Sequence, residues 1–166
     1  KMPLVELIFG EKTAPEVTAT IFDLAKKMGM TPVVVKDAPG FLVNRILSPY
    51  LGEAVRLLLE GVSMEAIDRG MRVFGMPVGP IELLDDVGID VAAKGAETLS
   101  AAWPERMPID PAFAKLVTST RLGRKTKKGF YRYEGDKRVG PDPEAYTALG
   151  VASPGSAKLS QDAPEA

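Results

Sequence analysis

The sequence predicts a mainly α-helical fold preceded by a single strand–helix–strand unit, and three observations predict it. From residue 38 onward, apolar residues recur at helical spacing in one segment after another. Before that, two β-like runs, Leu4–Phe9 and Thr31–Val35, flank one helical pattern. Between the two regimes stands Asp37-Ala-Pro-Gly-Phe-Leu-Val-Asn-Arg45, where Pro39-Gly40 stops the extended segment and opens a helix.

Leu4–Phe9 is a short β-like run. Thr13-Ala-Pro-Glu16 spells a capping box, with Thr13 as N-cap and Glu16 reaching back. The helix it opens carries Val17, Ile21, Leu24, Ala25 and Met28 on one face and is closed by Gly29. Thr31–Val35, with three consecutive valines, reads as a buried strand. Two strands do not make an independently stable sheet. Residues 1–36 are therefore expected to be a truncated unit that needs strands from outside these 166 residues.

The first long helix has Leu47, Leu51, Ala54, Val55 and Leu58 on one stripe, with a kink expected at Pro49 and an end at Gly61. Ser63 caps a second helix with Met64, Ile67, Met71 and Phe74 inward, closed by Gly75. Gly79-Pro80 starts a short helix, Ile81–Val87, that stops at Gly88. Asp90 is expected to cap an alanine-rich helix running to Trp103-Pro104. Asp110-Pro111, an N-cap followed by Pro at the first helical position, opens a helix through about Leu122. Phe130–Tyr133 alternates like a short extended piece. From Glu134 the chain is rich in Gly, Pro, Ser, Ala and Asp, so residues 134–166 read as a linker or disordered tail.

Composition narrows the function. An apolar fraction of 45% and a charged fraction of 26% belong to an ordinary globular protein. A net charge of −1 gives no global reason to expect nucleic acid or a membrane as partner. With no cysteine there are no disulfides or thiolate sites, and with no histidine either, a transition-metal site is disfavoured. No apolar run is long enough for a membrane span, and the N-terminus lacks a signal-peptide layout. A reducing cytosol fits, so a cytoplasmic location is expected.

Asn44 precedes Leu47 by three residues and is therefore expected on the apolar stripe, where an unpaired amide costs roughly 1–3 kcal/mol. Either helix packing or a ligand must satisfy it. Glu6, inside Leu4-Val-Glu-Leu-Ile-Phe9, needs a partner or a solvated edge. Arg45 is expected in a structural ion pair. Arg121-Leu-Gly-Arg-Lys-Thr-Lys-Lys-Gly129 holds five basic residues in nine, either a solvated loop or a phosphate contact. Tyr131 and Tyr133 are packing aromatics on composition alone. Asp85, Asp86 and Asp90 straddle two helices, and no metal is assigned to them.

Five motifs together carry a resemblance: Met2-Pro-Leu-Val-Glu6, Pro39-Gly-Phe-Leu-Val-Asn-Arg45, Gly75-Met-Pro-Val-Gly-Pro80, Leu83-Leu-Asp-Asp-Val-Gly-Ile-Asp90 and Gly129-Phe-Tyr-Arg-Tyr133. In this order they resemble the C-terminal part of the L-3-hydroxyacyl-CoA dehydrogenases of fatty-acid β-oxidation, most of all the multifunctional α-subunits of fatty-acid oxidation complexes. The resemblance implies a helical domain over 37–133, preceded over 1–36 by the last strand–helix–strand of a Rossmann-type NAD-binding domain. It implies oxidation of a 3-hydroxyacyl-CoA to the 3-oxoacyl-CoA with NAD as cofactor. Glu6 would orient a catalytic histidine that this chain lacks. Asn44 would contact the substrate, Lys125 would reach the dinucleotide, and Tyr133 would touch the substrate. Implied partners are the rest of the Rossmann domain, a homo-oligomer and a thiolase subunit. Without the histidine and the glycine-rich phosphate loop, these residues alone are expected to be inactive. The alternative is a noncatalytic helical dimerisation or assembly module.

Overall fold

The structure, a computed structural model, describes residues 2–109 and 111–153. It is mainly helical, with helices α1 (Pro15–Lys27), α2 (Val43–Leu59), α3 (Met64–Phe74), α4 (Pro80–Val87), α5 (Ile89–Ala102), α6 (Ala112–Thr118) and α7 (Pro143–Leu149). Four strands, β1 (Leu4–Phe9), β2 (Thr31–Lys36), β3 (Tyr131–Glu134) and β4 (Lys137–Pro141), form two separate two-stranded sheets. The described residues divide into two compact units, residues 2–50 with 94–109, and residues 51–93 with 111–153.

In the first unit β1 and β2 run parallel, with Glu6 opposite Val33. Helix α1 links them as a crossover. Thr13 does not cap it: its hydroxyl accepts the Gly10 N–H at 3.1 Å and so closes the preceding turn, while Pro15 opens the helix after Ala14. Of the α1 stripe only Ala25 is buried; Val17, Leu24 and Met28 are at least half exposed. The strand–helix–strand unit therefore presents an apolar helix face that nothing among the described residues covers. After β2 the backbone takes two consecutive left-handed residues, Gly40 (φ 73°) and Phe41 (φ 43°), before α2 begins. A side chain at position 40 would also run into Leu99, so this turn needs glycine twice over.

The second unit holds the hydrophobic core. Val55 and Leu58 of α2, Met64 and Ile67 of α3, Ile81 and Leu84 of α4, and Ile89 pack with Leu116 and Phe130. Ser63 caps α3 by accepting the Ala66 N–H at 3.2 Å, and Gly75 ends it at φ 119°. Phe74, expected inward, is 80% exposed, because α3 turns its buried face through Met64, Ile67 and Asp68. Pro49 sits inside α2 without ending it. The expected α6 cap, Asp110, lies outside the described residues.

The expectation of a linker or disordered tail over 134–166 is corrected for residues 134–149. Gly135 (φ 59°) turns β3 back into an antiparallel β4, and Asp142 caps α7 by accepting the Glu144 N–H at 3.1 Å. Ala145, Tyr146 and Leu149 are buried in the core, and the Tyr146 hydroxyl accepts the Met64 N–H at 3.0 Å. Few apolar residues follow Tyr133, and these three are drawn into the core although Val139 stays exposed. The rest of the expected tail, from 154, lies outside the described residues.

Candidate functional site

The first unit brings Glu6 to the start of the helix that carries Asn44. The Leu42 N–H donates to Glu6 Oε1 at 2.7 Å and the Val43 N–H at 3.2 Å. These are first-turn amides that no helical carbonyl can satisfy. A carboxylate there also opposes the positive end of the helix dipole. Glu6 thus caps α2 from a strand 36 residues away in sequence. Its second oxygen, Oε2, has no hydrogen bond among the described residues.

Asn44 lies in the first turn of α2 and is exposed. The expected burial of its amide is therefore corrected: the apolar stripe closes over only from Ala54 onward, so the first turn faces outward. Its side chain makes no hydrogen bond among the described residues and keeps both donors for a ligand. Arg45 is not ion-paired among the described residues; its guanidinium stacks 4.2 Å above the Trp103 ring. Phe41, Arg45, Ile46, Trp103 and Arg106 line a cleft of about 460 Å³ beside this turn. No carboxylate lines it.

The second unit holds Lys125 and Tyr133. Lys125 Nζ is paired with Asp90, and both side chains are about two-fifths exposed. Asp90 is not the residue before α5 but sits in its first turn; the Lys125 contact holds its carboxyl below the usual range. Four of the five basic residues of the run around Lys125 are paired locally. Arg121 is buried and bonded to Asp142 at 2.6 Å, Arg124 pairs with Asp86 at 2.8 Å, and Lys127 pairs with Asp136 at 3.4 Å.

Tyr133 is 6% exposed and its hydroxyl donates to Asp85 Oδ2 at 3.0 Å. The expectation of a substrate contact leaves it no free donor. Asp85 also accepts the Phe130 N–H at 2.9 Å and the Tyr131 N–H at 2.8 Å. Burial pushes its carboxyl up to about 6 despite these three donors. Gly129 lies so close to the Asp85 carboxylate that any side chain there would strike it. Asp85 is therefore an organising carboxylate for the 123–131 loop.

Asp68 repeats the arrangement. It accepts the Ile81 N–H at 2.8 Å, the Glu82 N–H at 3.1 Å and the Tyr131 hydroxyl at 2.7 Å, and so caps α4 from α3. Burial raises its carboxyl above the ordinary value. Sequence reasoning missed Asp68, although an acid four residues after Met64 on an apolar stripe is the available signal.

Comparison with known proteins agrees with the motifs. The family described as 3-hydroxyacyl-CoA dehydrogenase, C-terminal domain, matches residues 40–133, and the NAD binding domain of the same enzymes matches residues 1–38. The chain is 51% identical over 152 residues to the fatty acid oxidation complex subunit alpha of Shewanella oneidensis, and 50% identical over 156 residues to that of Shewanella sp. strain ANA-3. In both cases the match covers 91% of this chain and 22% of the relative, so the chain spans about a fifth of these proteins. Among solved structures, the (S)-3-hydroxybutyryl-CoA dehydrogenase PaaH1 of Ralstonia eutropha superposes with a TM-score of 0.76 at 39% identity, over 80% of this chain and 48% of that one. The 3-hydroxybutyryl-CoA dehydrogenase of Escherichia coli K12 also gives 0.76, at 34% identity over 85% of this chain and 30% of that one. With its helical part matched over more than half of its length, this chain belongs to the 3-hydroxyacyl-CoA dehydrogenase family.

Proposed function

We propose that this chain works as part of a longer, NAD-dependent L-3-hydroxyacyl-CoA dehydrogenase of fatty-acid β-oxidation, in the cytoplasm. It supplies the helical domain and the end of the nucleotide-binding domain for oxidation of 3-hydroxyacyl-CoA to 3-oxoacyl-CoA. The observation that carries this reading is the Glu6 carboxylate at the N-terminus of the helix bearing Asn44. One oxygen is bonded to the helix and the other is open to an imidazole N–H from a histidine outside these 166 residues. Orienting that base and stabilising its charged form is the part played by the third member of a catalytic triad. The exposed Asn44 amide would donate to the oxygen that gains charge on the acyl group. The cleft beside it, with Arg45, Arg106 and no acid, suits the anionic coenzyme.

NAD, when bound, accepts the substrate hydride; of this chain's residues, Lys125 is the one offered to its phosphates. The uncovered apolar face of α1 supports the placement of residues 1–36 in a larger sheet. It also supports association through apolar surface, with a second copy or with a thiolase subunit as the proposed partners.

A chimera tests the reading. Residues 2–153 replace the matching stretch of the Shewanella oneidensis α-subunit, and NADH formation from 3-hydroxybutyryl-CoA and longer homologues is followed. Turnover that falls sharply with Asn44→Ala supports the assignment. A folded chimera with no dehydrogenase activity overturns it and favours an assembly module.

A further inference from the structure

Glu6 does two jobs with two oxygens, and the one visible in this chain is mechanical. Oε1 is bonded to the Leu42 and Val43 amides, the two residues immediately before Asn44. The turn leading to them is strained, with Phe41 held at φ 43°, a conformation an aromatic residue seldom adopts without a compensating contact. Gly40 ahead of it is pinned against Leu99, so the turn has little freedom to settle elsewhere. Beyond the turn, Arg45 is stacked on Trp103. Asn44 itself is exposed and its side chain makes no hydrogen bond among the described residues. Its position is set by its neighbours, and the Glu6 cap is the contact that ties those neighbours to β1.

We propose that Glu6 is a positioning residue for Asn44: by capping α2 it fixes the first turn, and so the carboxamide, relative to strand β1. This deepens the function proposed above and rests on it. It makes one carboxylate set the geometry of both polar groups that face the substrate, through Oε2 on the imidazole side and Oε1 on the amide side. An orienting role confined to the histidine acts through Oε2 and draws on its negative charge. A capping role needs an acceptor oxygen of the right reach.

The two requirements separate by substitution. Glu6→Gln keeps an acceptor carbonyl at the same reach and removes the charge. Glu6→Asp keeps the charge and withdraws the oxygen by one methylene. Glu6→Ala removes both. In the chimera, kcat for Glu6→Ala should fall roughly ten- to a hundredfold below that for Glu6→Gln, as expected when a reacting contact is misplaced by about an ångström. Glu6→Asp should fall below Glu6→Gln as well. Both variants lacking the charge should share one altered pH–rate profile, so their difference is a pH-independent factor. In an Asn44→Ala background the gap between Glu6→Ala and Glu6→Gln should close.

Amide hydrogen exchange in the chimera reads the cap without activity. Leu42 and Val43 should be protected in the parent and in Glu6→Gln, and unprotected in Glu6→Ala. If Glu6→Ala does not fold, the Asp-against-Gln comparison decides. Equal turnover for Glu6→Ala and Glu6→Gln in an active chimera, Asp outperforming Gln, or a gap that survives Asn44→Ala would each overturn the positioning role. An inactive parent chimera instead overturns the function on which it rests.

Discussion

The Tyr133 hydroxyl donates to Asp85 Oδ2 at 3.0 Å, with both side chains almost wholly shielded from water. This bond joins β3 to α4 and makes the tyrosine part of the core. Tyr133→Phe should therefore lower stability by roughly 1.5–3 kcal/mol, the range for a hydrogen bond to a charged group. It should leave acyl-CoA affinity of the chimera unchanged. Urea unfolding and calorimetric titration check the two halves. Weakened acyl-CoA binding at unaltered stability would return Tyr133 to the substrate site.

Asp85 also predicts a pH dependence. Its folded pKa of about 6 lies above the ordinary 3.8, so the folded state holds this proton more tightly than the unfolded state. The associated stability is fully present below about 3.8 and is lost as pH rises through 6. A gap of about 2 between the two values corresponds to about 3 kcal/mol. Asp68, raised by burial in the same direction, adds to the trend. Measured between pH 4 and 7, the stability of the parent relative to Asp85→Asn should decline. Asp85→Asn should be less stable overall, since its NH₂ group faces at least one donor where a carboxylate oxygen had accepted it. A difference that does not change with pH would place Asp85 at its ordinary pKa.

What was legible in the sequence is what depends on near neighbours. Ser63 as a cap, Gly75 as a stop and Gly79-Pro80 as a start all act within one turn of their own position, and the structure has each of them. What escaped depends on residues far apart. Glu6 caps a helix across 36 residues, and Asp85 binds amides 45 and 46 residues on. Nothing in a local pattern says which distant amide a carboxylate will meet. The same holds for residues 134–149, whose composition is that of a linker, yet whose Ala145, Tyr146 and Leu149 complete a core built from residues before 134. Thr13 failed as a cap for the opposite reason: a turn amide only three residues before it, that of Gly10, took its hydroxyl.

Lys125 is proposed to reach the dinucleotide, but its charge is already engaged by Asp90. Lys125→Ala in the chimera should weaken NAD binding, with the largest effect at low salt, and leave stability nearly unchanged because the pair is exposed. Asp90→Ala should do the reverse, freeing the ammonium and tightening NAD at low salt. NAD affinities that are equal in all three proteins would make the Lys125–Asp90 pair a purely local contact.

Asn44 gives the sharpest test of the site. An exposed side chain that makes no hydrogen bond among the described residues contributes little to folding, so Asn44→Ala should unfold within about 0.5 kcal/mol of the parent. If the carboxamide donates to an oxygen that gains charge in the transition state, its loss acts on the chemical step more than on ground-state binding. In the chimera, kcat should fall by roughly a hundred- to a thousandfold, the range for deletion of one such donor. KM should change far less. Asn44→Asp should be worse still, because a carboxylate cannot donate and repels the developing charge. A rise in KM with kcat intact would mean that Asn44 binds ground state and transition state alike. Unchanged kinetics with lost stability would show that the amide serves the fold, against its exposure in the structure.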